Sequence, residues 1–289
     1  MTFASRLAKA QERFGPICVG ADPHAAILGS WGLPDSPAGL QSFSDIFTEA
    51  FVGRVASIKP QVAFFERHGS RGLAVLEELI GAFREAGTLV IADAKRGDIG
   101  STMAGYADAW LGDGPLGSDA VTLSPYLGVG SLEPAFELAA QNDRGIFVLA
   151  ATSNPEGANI QGARTESLTR ETGLSDAGQG GLNVPGDVAV AQRVLGELGA
   201  YNASYWPGVP GSLGAVIGAT AGVRLAAWGV DAAVLHGPIL APGVGAQGAS
   251  VQDAEGVARG NLLCIPVSRA ILRAGPNVDA LQNAQIALK

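Results

Sequence analysis

Eight short apolar runs restrict the fold of this chain more than any other feature of its sequence. They lie at residues 17–20, 55–59, 89–92, 120–123, 146–150, 215–218, 239–241 and 262–267. Most do not alternate apolar with polar residues, as strands with one wet face do, and they are rich in Val, Ile and Leu. That is the pattern of parallel strands buried on both faces. Stretches of helical periodicity separate them. In residues 72–86, for example, Leu73, Leu76, Leu79, Ile80 and Phe83 share one face. Eight alternating β and α units predict a (β/α)8 TIM barrel, with a doubly wound open sheet as the structural alternative. A length of 289 residues suits one barrel, and we read 1–289 as a single domain. The opening MTFASRLAKAQERFG places Phe3, Leu7 and Phe14 near helical spacing without a signal-peptide apolar core or cleavage site. It predicts an extra N-terminal helix packed on the barrel.

Composition narrows the function classes. A net charge of −8 argues against a nucleic acid polymer as partner, because a phosphate-backbone binder needs a basic face. A small anion remains compatible with it if a few Lys and Arg converge locally. No apolar stretch nears the ~20 residues that span a bilayer, so a soluble cytoplasmic protein without a membrane partner is expected. Cys18 and Cys264 sit inside apolar runs and read as buried thiols of a reducing compartment, not as metal ligands. His24, His68 and His236 lie in separate segments without metal spacing. Residues 154–186 are polar and Gly-rich, and they follow a strand, which predicts a lid loop over the open face of the barrel. Residues 201–213 read as a second loop.

In a barrel, chemistry gathers at the C-terminal ends of the strands. Asp22, Lys59 and Asp93 each stand directly after an apolar run, where an unpaired charge is costly. The densest signal is Asp93-x-Lys95-x-x-Asp98. Residues two apart on an extended strand face one side, so Asp93 and Lys95 should point together into the barrel mouth. A lysine between carboxylates keeps its proton and suits proton donation better than Schiff-base chemistry. Taken alone, such a trio is equally compatible with a surface salt-bridge cluster. Lys59 extends it to an alternating Lys59–Asp93–Lys95–Asp98 network, the rigid charge arrangement that electrostatic preorganisation requires. Gln61 and Glu66, close to Lys59, are candidates to support it. On the other side of the mouth, residues 242–248 (PGVGAQG) follow the seventh run, and Ser268-Arg269 follows the eighth. Barrels often hold phosphate there, with backbone N–H groups such as that of Gly245 and a guanidinium fork such as that of Arg269.

GADP (20–23), SIKPQVAFFE (57–66), DAKRGDIGST (93–102), SPYLG (124–128), TSNP (152–155), PGVGAQG (242–248) and SRAIL (268–272) stand in order along the chain. Together they resemble the orotidine 5′-phosphate decarboxylases, in particular the bacterial subgroup with KPQxAFFE and DAKRGDIGxT signatures. The resemblance implies decarboxylation of orotidine 5′-monophosphate to UMP and CO₂ on a dimeric barrel without metal or organic cofactor. It implies that Lys95 protonates the pyrimidine C6, that Asp93 stands against the substrate carboxylate, and that Lys59 completes the charged network. Asp98 and Thr102 would reach into the partner's site, so that active sites are shared in a homodimer. Asp22 would bind a ribose hydroxyl, Ser153 the pyrimidine edge, and Gln247 and Arg269 the phosphate. Ser268 stands where other subgroups carry Gly. Two other readings are a Mg²⁺-dependent sugar-phosphate decarboxylase or synthase on a related barrel, and a catalytically silent phosphate-binding barrel. Lys59 argues against the first, since a cation site would favour a carboxylate there, and the intact network argues against the second.

Overall fold

A computed structural model describes residues 1–165, 187–245 and 247–288. Each of the eight apolar runs is a strand: β1 Ile17–Ala21, β2 Ser57–Pro60, β3 Leu89–Arg96, β4 Ala120–Leu123, β5 Gly145–Ala151, β6 Leu213–Ile217, β7 Ile239–Leu240 and β8 Leu263–Val267. All pair in parallel, in chain order, and β8 returns to β1 through Ile17↔Ile265 and Val19↔Val267, closing the barrel. The (β/α)8 barrel expected from the runs is therefore the observed architecture, and the eight strands close on themselves instead of forming a doubly wound open sheet.

Strand parity sorts the core into two layers. Val19, Ile58, Val90, Ala92 and Val121 face outward and pack with the surrounding helices. Cys18, Leu89, Ile91, Ala120, Phe147, Val216, Leu240 and Cys264 face inward and fill the barrel. Both cysteines are buried and free, as their apolar settings predict. The helix Phe3–Phe14, capped by the Thr2 side chain, closes the N-terminal end of the barrel. Phe3 and Leu7 join the interior cluster, and the Phe3 ring meets Phe147 edge-on at 6.0 Å. Phe14 is only half-buried, with the Arg13 guanidinium over its ring.

Some boundaries differ from the sequence reading. The helix expected at 72–86 is Gly69–Glu85, because its first turn forms on His68 where Gly72 packs against the Phe65 carbonyl. The first five residues of the expected 201–213 loop complete the helix Val190–Tyr205, held by Tyr201 against Phe136. The expected lid at 154–186 falls mainly on 166–186, outside the described residues. Its flanks carry a short helix, Ala158–Gln161, and two strands, Arg164–Thr165 and Val188–Ala189, paired antiparallel. No helix among the described residues is long and apolar enough to cross a membrane.

Candidate active site

The inward-facing series continues past the apolar layer and changes chemistry at the C-terminal mouth. Above Cys18 come Gly20 and Asp22, above Ser57 come Lys59 and Gln61, and above Ile91 comes Asp93. These residues line a cavity of about 350 Å³, with Lys95, Ser153, Gln247, Ser268 and Arg269 also at its wall. A charge at a buried inward position has to be paired, and here it is. Lys59 and Asp93, only 7% and 8% exposed, meet at 2.6 Å between Nζ and Oδ2. Lys95 Nζ reaches the other carboxylate oxygen at 2.5 Å. The Thr122 hydroxyl donates to that same oxygen at 3.0 Å and accepts the Lys95 backbone N–H at 2.9 Å.

Simple alternation is not what brings Lys95 there. The register of β3 shifts against β4 between Ala92 and Arg96, and Lys95 adopts a left-handed φ of 49°. A β-bulge re-aims one side chain in this way, and the Thr122 hydroxyl satisfies the N–H displaced from the ladder.

Electrostatics locks the group. Burial works against the Lys59 ammonium, but Asp93 and then Asp22 outweigh it and hold the proton more tightly than in an ordinary lysine. Burial also works against the Asp93 carboxylate. Lys59 and Lys95 outweigh it and hold that carboxyl well below the usual carboxylate range.

Three strands round the rim from β3 the lining turns cationic, and Arg269 there has no ion-pair partner among the described residues. Arg269 is exposed at the start of the short helix Arg269–Leu272, with Ser268 immediately before it. The Ser268 Oγ and Asp22 Oδ1 are buried in the cavity wall without a hydrogen bond among the described residues. Gly20 is required there, since a Cβ on it would lie 2.6 Å from the Ser268 Cβ. Gly243, at φ 117°, turns the loop after β7 so that the Gln247 amide folds back over it. Gly245 does not line the cavity, and its N–H donates to the Ala249 carbonyl at 2.9 Å.

Asp98 and Thr102 are not brought into this cavity. Asp98 is half-buried and accepts its neighbour Ile99's N–H at 2.8 Å, and Thr102 is exposed on the helix Gly100–Leu111. Glu66 pairs with Arg96, whose guanidinium lies over Tyr106 and Trp110, and Gln61 alone of the two supporting candidates lines the cavity. Two contributors escaped the sequence reading. Thr122 is one. Arg224 is the other, donating to the Thr152 and Ser153 carbonyls at 2.9 and 3.3 Å and so fixing the segment that carries Ser153. The three histidines stay apart from the site. His24 packs on Phe64, and His68 faces Asp35. No group of metal-binding side chains occurs among the described residues.

A family model described as orotidine 5′-phosphate decarboxylase / HUMPS family matches residues 15–284. An orotidine 5′-phosphate decarboxylase of Corynebacterium efficiens is 50% identical over 288 residues, which span 98% of this chain and 94% of the relative. One from Salinispora arenicola is 49% identical over 286 residues, with the same coverage. A crystal structure from Streptomyces avermitilis superposes with a TM-score of 0.84 at 49% identity, covering 99% of this chain and 93% of that one. The OMP decarboxylase of Leishmania donovani gives 0.71 at 29% identity, over 100% and 98% of the two chains. Matched along most of its length, and near half identical to relatives over nearly all of it, the chain belongs to the orotidine 5′-phosphate decarboxylase / HUMPS family.

Proposed function

We propose that this chain decarboxylates orotidine 5′-monophosphate to UMP and CO₂, the last step of de novo UMP biosynthesis. The observation that carries the proposal is Asp93 clamped between Lys59 and Lys95, in a cavity whose rim ends in the exposed Arg269. Substrate phosphate binds Arg269 with Gln247 and Ser268, the ribose hydroxyls meet Asp22 and Lys59, and the pyrimidine edge meets Ser153. That pose sets the substrate carboxylate against Asp93. The C6–carboxylate bond then breaks heterolytically, CO₂ leaves, and its electron pair stays at C6. Lys95 donates a proton from Nζ to that carbon and is reprotonated from solvent. Asp93, unable to move away from two ammonium groups, disfavours the bound carboxylate and favours its loss.

One positioned acid accounts for only ~10²–10⁴-fold, whereas enzymes lower barriers by about 8–23 kcal/mol. The remainder comes from phosphate and ribose binding, remote from C6, which holds the reacting carbon against the charged cluster. Asp98 and Thr102 serve the partner's cavity in a homodimer. The exposed apolar side chains of Ile99, Tyr126 and Leu127, in the segments that follow β3 and β4, support that arrangement, because large apolar groups left in water at a rim mark an interface. Two free buried thiols and a small anionic substrate support a cytoplasmic location.

Loss of the orotate absorbance when the purified protein meets orotidine 5′-monophosphate tests the reaction directly. Turnover should persist in EDTA. An unchanged spectrum, or activity abolished by EDTA and restored by Mg²⁺, would overturn the proposal in favour of the silent or the Mg²⁺-dependent reading.

A further inference from the structure

Cationic side chains also converge at the opposite end of the barrel. There a second pocket, of about 470 Å³, is lined by Arg6, Arg84 and Arg144 together with Asp119 and Glu85. The three arginines come from separate elements: the helix Phe3–Phe14, the helix Gly69–Glu85, and the residue immediately before β5. One buried carboxylate stands among them, and it is already used. Asp119 Oδ1 takes Arg6 at 2.5 Å, while Oδ2 accepts the Val90 backbone N–H at 3.0 Å.

Arg144 is the group left short. It is only 8% exposed, yet its Nε is buried without a hydrogen bond among the described residues. Its terminal nitrogens reach Asp113 and Asp119 only at 3.4 and 3.6 Å. Arg84 spends one N–H on the Gly117 carbonyl at 2.6 Å, and Glu85 forms no ion pair among the described residues. A buried guanidinium with unfilled donors costs free energy that a bound acceptor would recover. Burial first, and then repulsion from Arg84, weaken the hold of Arg144 on its proton. An anion between Arg84 and Arg144 would relieve the second effect and give the terminal nitrogens of Arg144 closer acceptors than Asp113 and Asp119 do. Planar guanidinium forks match the oxygens of a phosphoryl group better than they match a single carboxylate oxygen already shared.

We propose that this pocket is a second anion site, at the N-terminal mouth of the barrel, for a phosphate-bearing small molecule. It is separate from the catalytic cavity in both residues and position, and it does not depend on the reaction assigned there. It also has a route to that cavity. Asp119 holds Val90 of β3 and leads into β4, the two strands that carry Asp93, Lys95 and Thr122.

The test is calorimetric titration of inorganic pyrophosphate into the full chain. In Arg269→Ala, which removes the other anion-binding guanidinium, pyrophosphate should still bind at one site per chain. When Arg84→Gln is added to Arg269→Ala, that affinity should fall about tenfold or more, as loss of one charge-assisted hydrogen bond requires. No binding to Arg269→Ala, or equal affinity after Arg84→Gln is added, overturns the proposal. Should Arg84→Gln not fold, a wild-type crystal soaked in tungstate decides the matter. An anomalous peak between Arg84 and Arg144 supports the site, and tungstate elsewhere with none in this pocket overturns it.

Discussion

Two ammonium groups and one hydroxyl share the two oxygens of Asp93, and this one side chain holds the cluster together. Replacing it with Asn leaves Lys59 buried without its hydrogen-bonded counter-charge, and breaking comparable buried pairs costs about 3–5 kcal/mol. Asp93→Asn should therefore melt well below the wild type at neutral pH. The pH dependence has a definite sign. A carboxyl held below its ordinary range stabilises the fold above about pH 4, and that contribution disappears as the pH falls toward its folded-state titration. Lys59 is shifted the other way, so its share is complete at neutral pH and is lost only above the ordinary lysine range. The gap in Tm between the two proteins should narrow between about pH 4 and pH 2 in scanning calorimetry; a gap that stays constant would contradict the pairing. Thr122→Val tests the other contact. It keeps the volume and removes the hydroxyl that both orients Asp93 and anchors the Lys95 backbone. We expect kcat to fall about 10–100-fold with KM little changed, and an unchanged kcat would remove Thr122 from the machinery. Lys59 and Asp93 were legible in the sequence because a charge directly after a buried strand must find a partner. Thr122 was not, since one hydroxyl in the run Ala-Val-Thr-Leu reads as an ordinary strand residue until parity places it above Ala120.

At the scale of elements, the barrel closes where β1 meets β8, and Gly20 and Ser268 are in contact beside that seam. Gly20→Ala would put a methyl carbon 2.6 Å from the Ser268 Cβ. The strands or Ser268 must then shift, at a cost of about 1–3 kcal/mol. A lowered denaturant midpoint together with a raised KM would show that the seam and the Arg269 side of the cavity move as one. A lowered midpoint with unchanged KM would separate them. All eight strands could be read from their apolar runs because parallel strands buried on both faces leave a continuous signal. Even β7, only two residues long, was visible. Helix boundaries were less legible. The start at Gly69 and the end at Tyr205 depend on Gly72 against Phe65 and Tyr201 against Phe136, which are contacts between segments that local periodicity does not encode. The route of Lys95 through a left-handed residue was likewise hidden, since the bulge arises from pairing with β4.

For the whole molecule, the placement of Asp98 and Thr102 outside their own cavity makes a prediction about assembly. Under the proposed sharing of sites, Asp98→Ala and Lys95→Ala proteins, each inactive alone, should recover part of the activity when mixed and allowed to exchange subunits, because a hybrid dimer would then contain one intact site. Continued inactivity after proven exchange would mean that each chain works alone. The closure of the barrel floor has a further consequence, for the order in which the chain is made. The helix Phe3–Phe14 is held by the Asp119 carboxylate, the Ser212 hydroxyl and the Leu263 carbonyl, the last through Gln11, 252 positions away along the chain. A segment synthesised early thus has no complete seat until the last strand has emerged. During translation its Phe3 and Leu7 face must wait unpaired, or be shielded by other proteins, while seven strands assemble without their floor. An unfinished chain stopped before β8 would therefore expose the apolar bottom of the barrel as well as its open seam, and would be a target for chaperones and proteases even though most of its secondary structure had already formed.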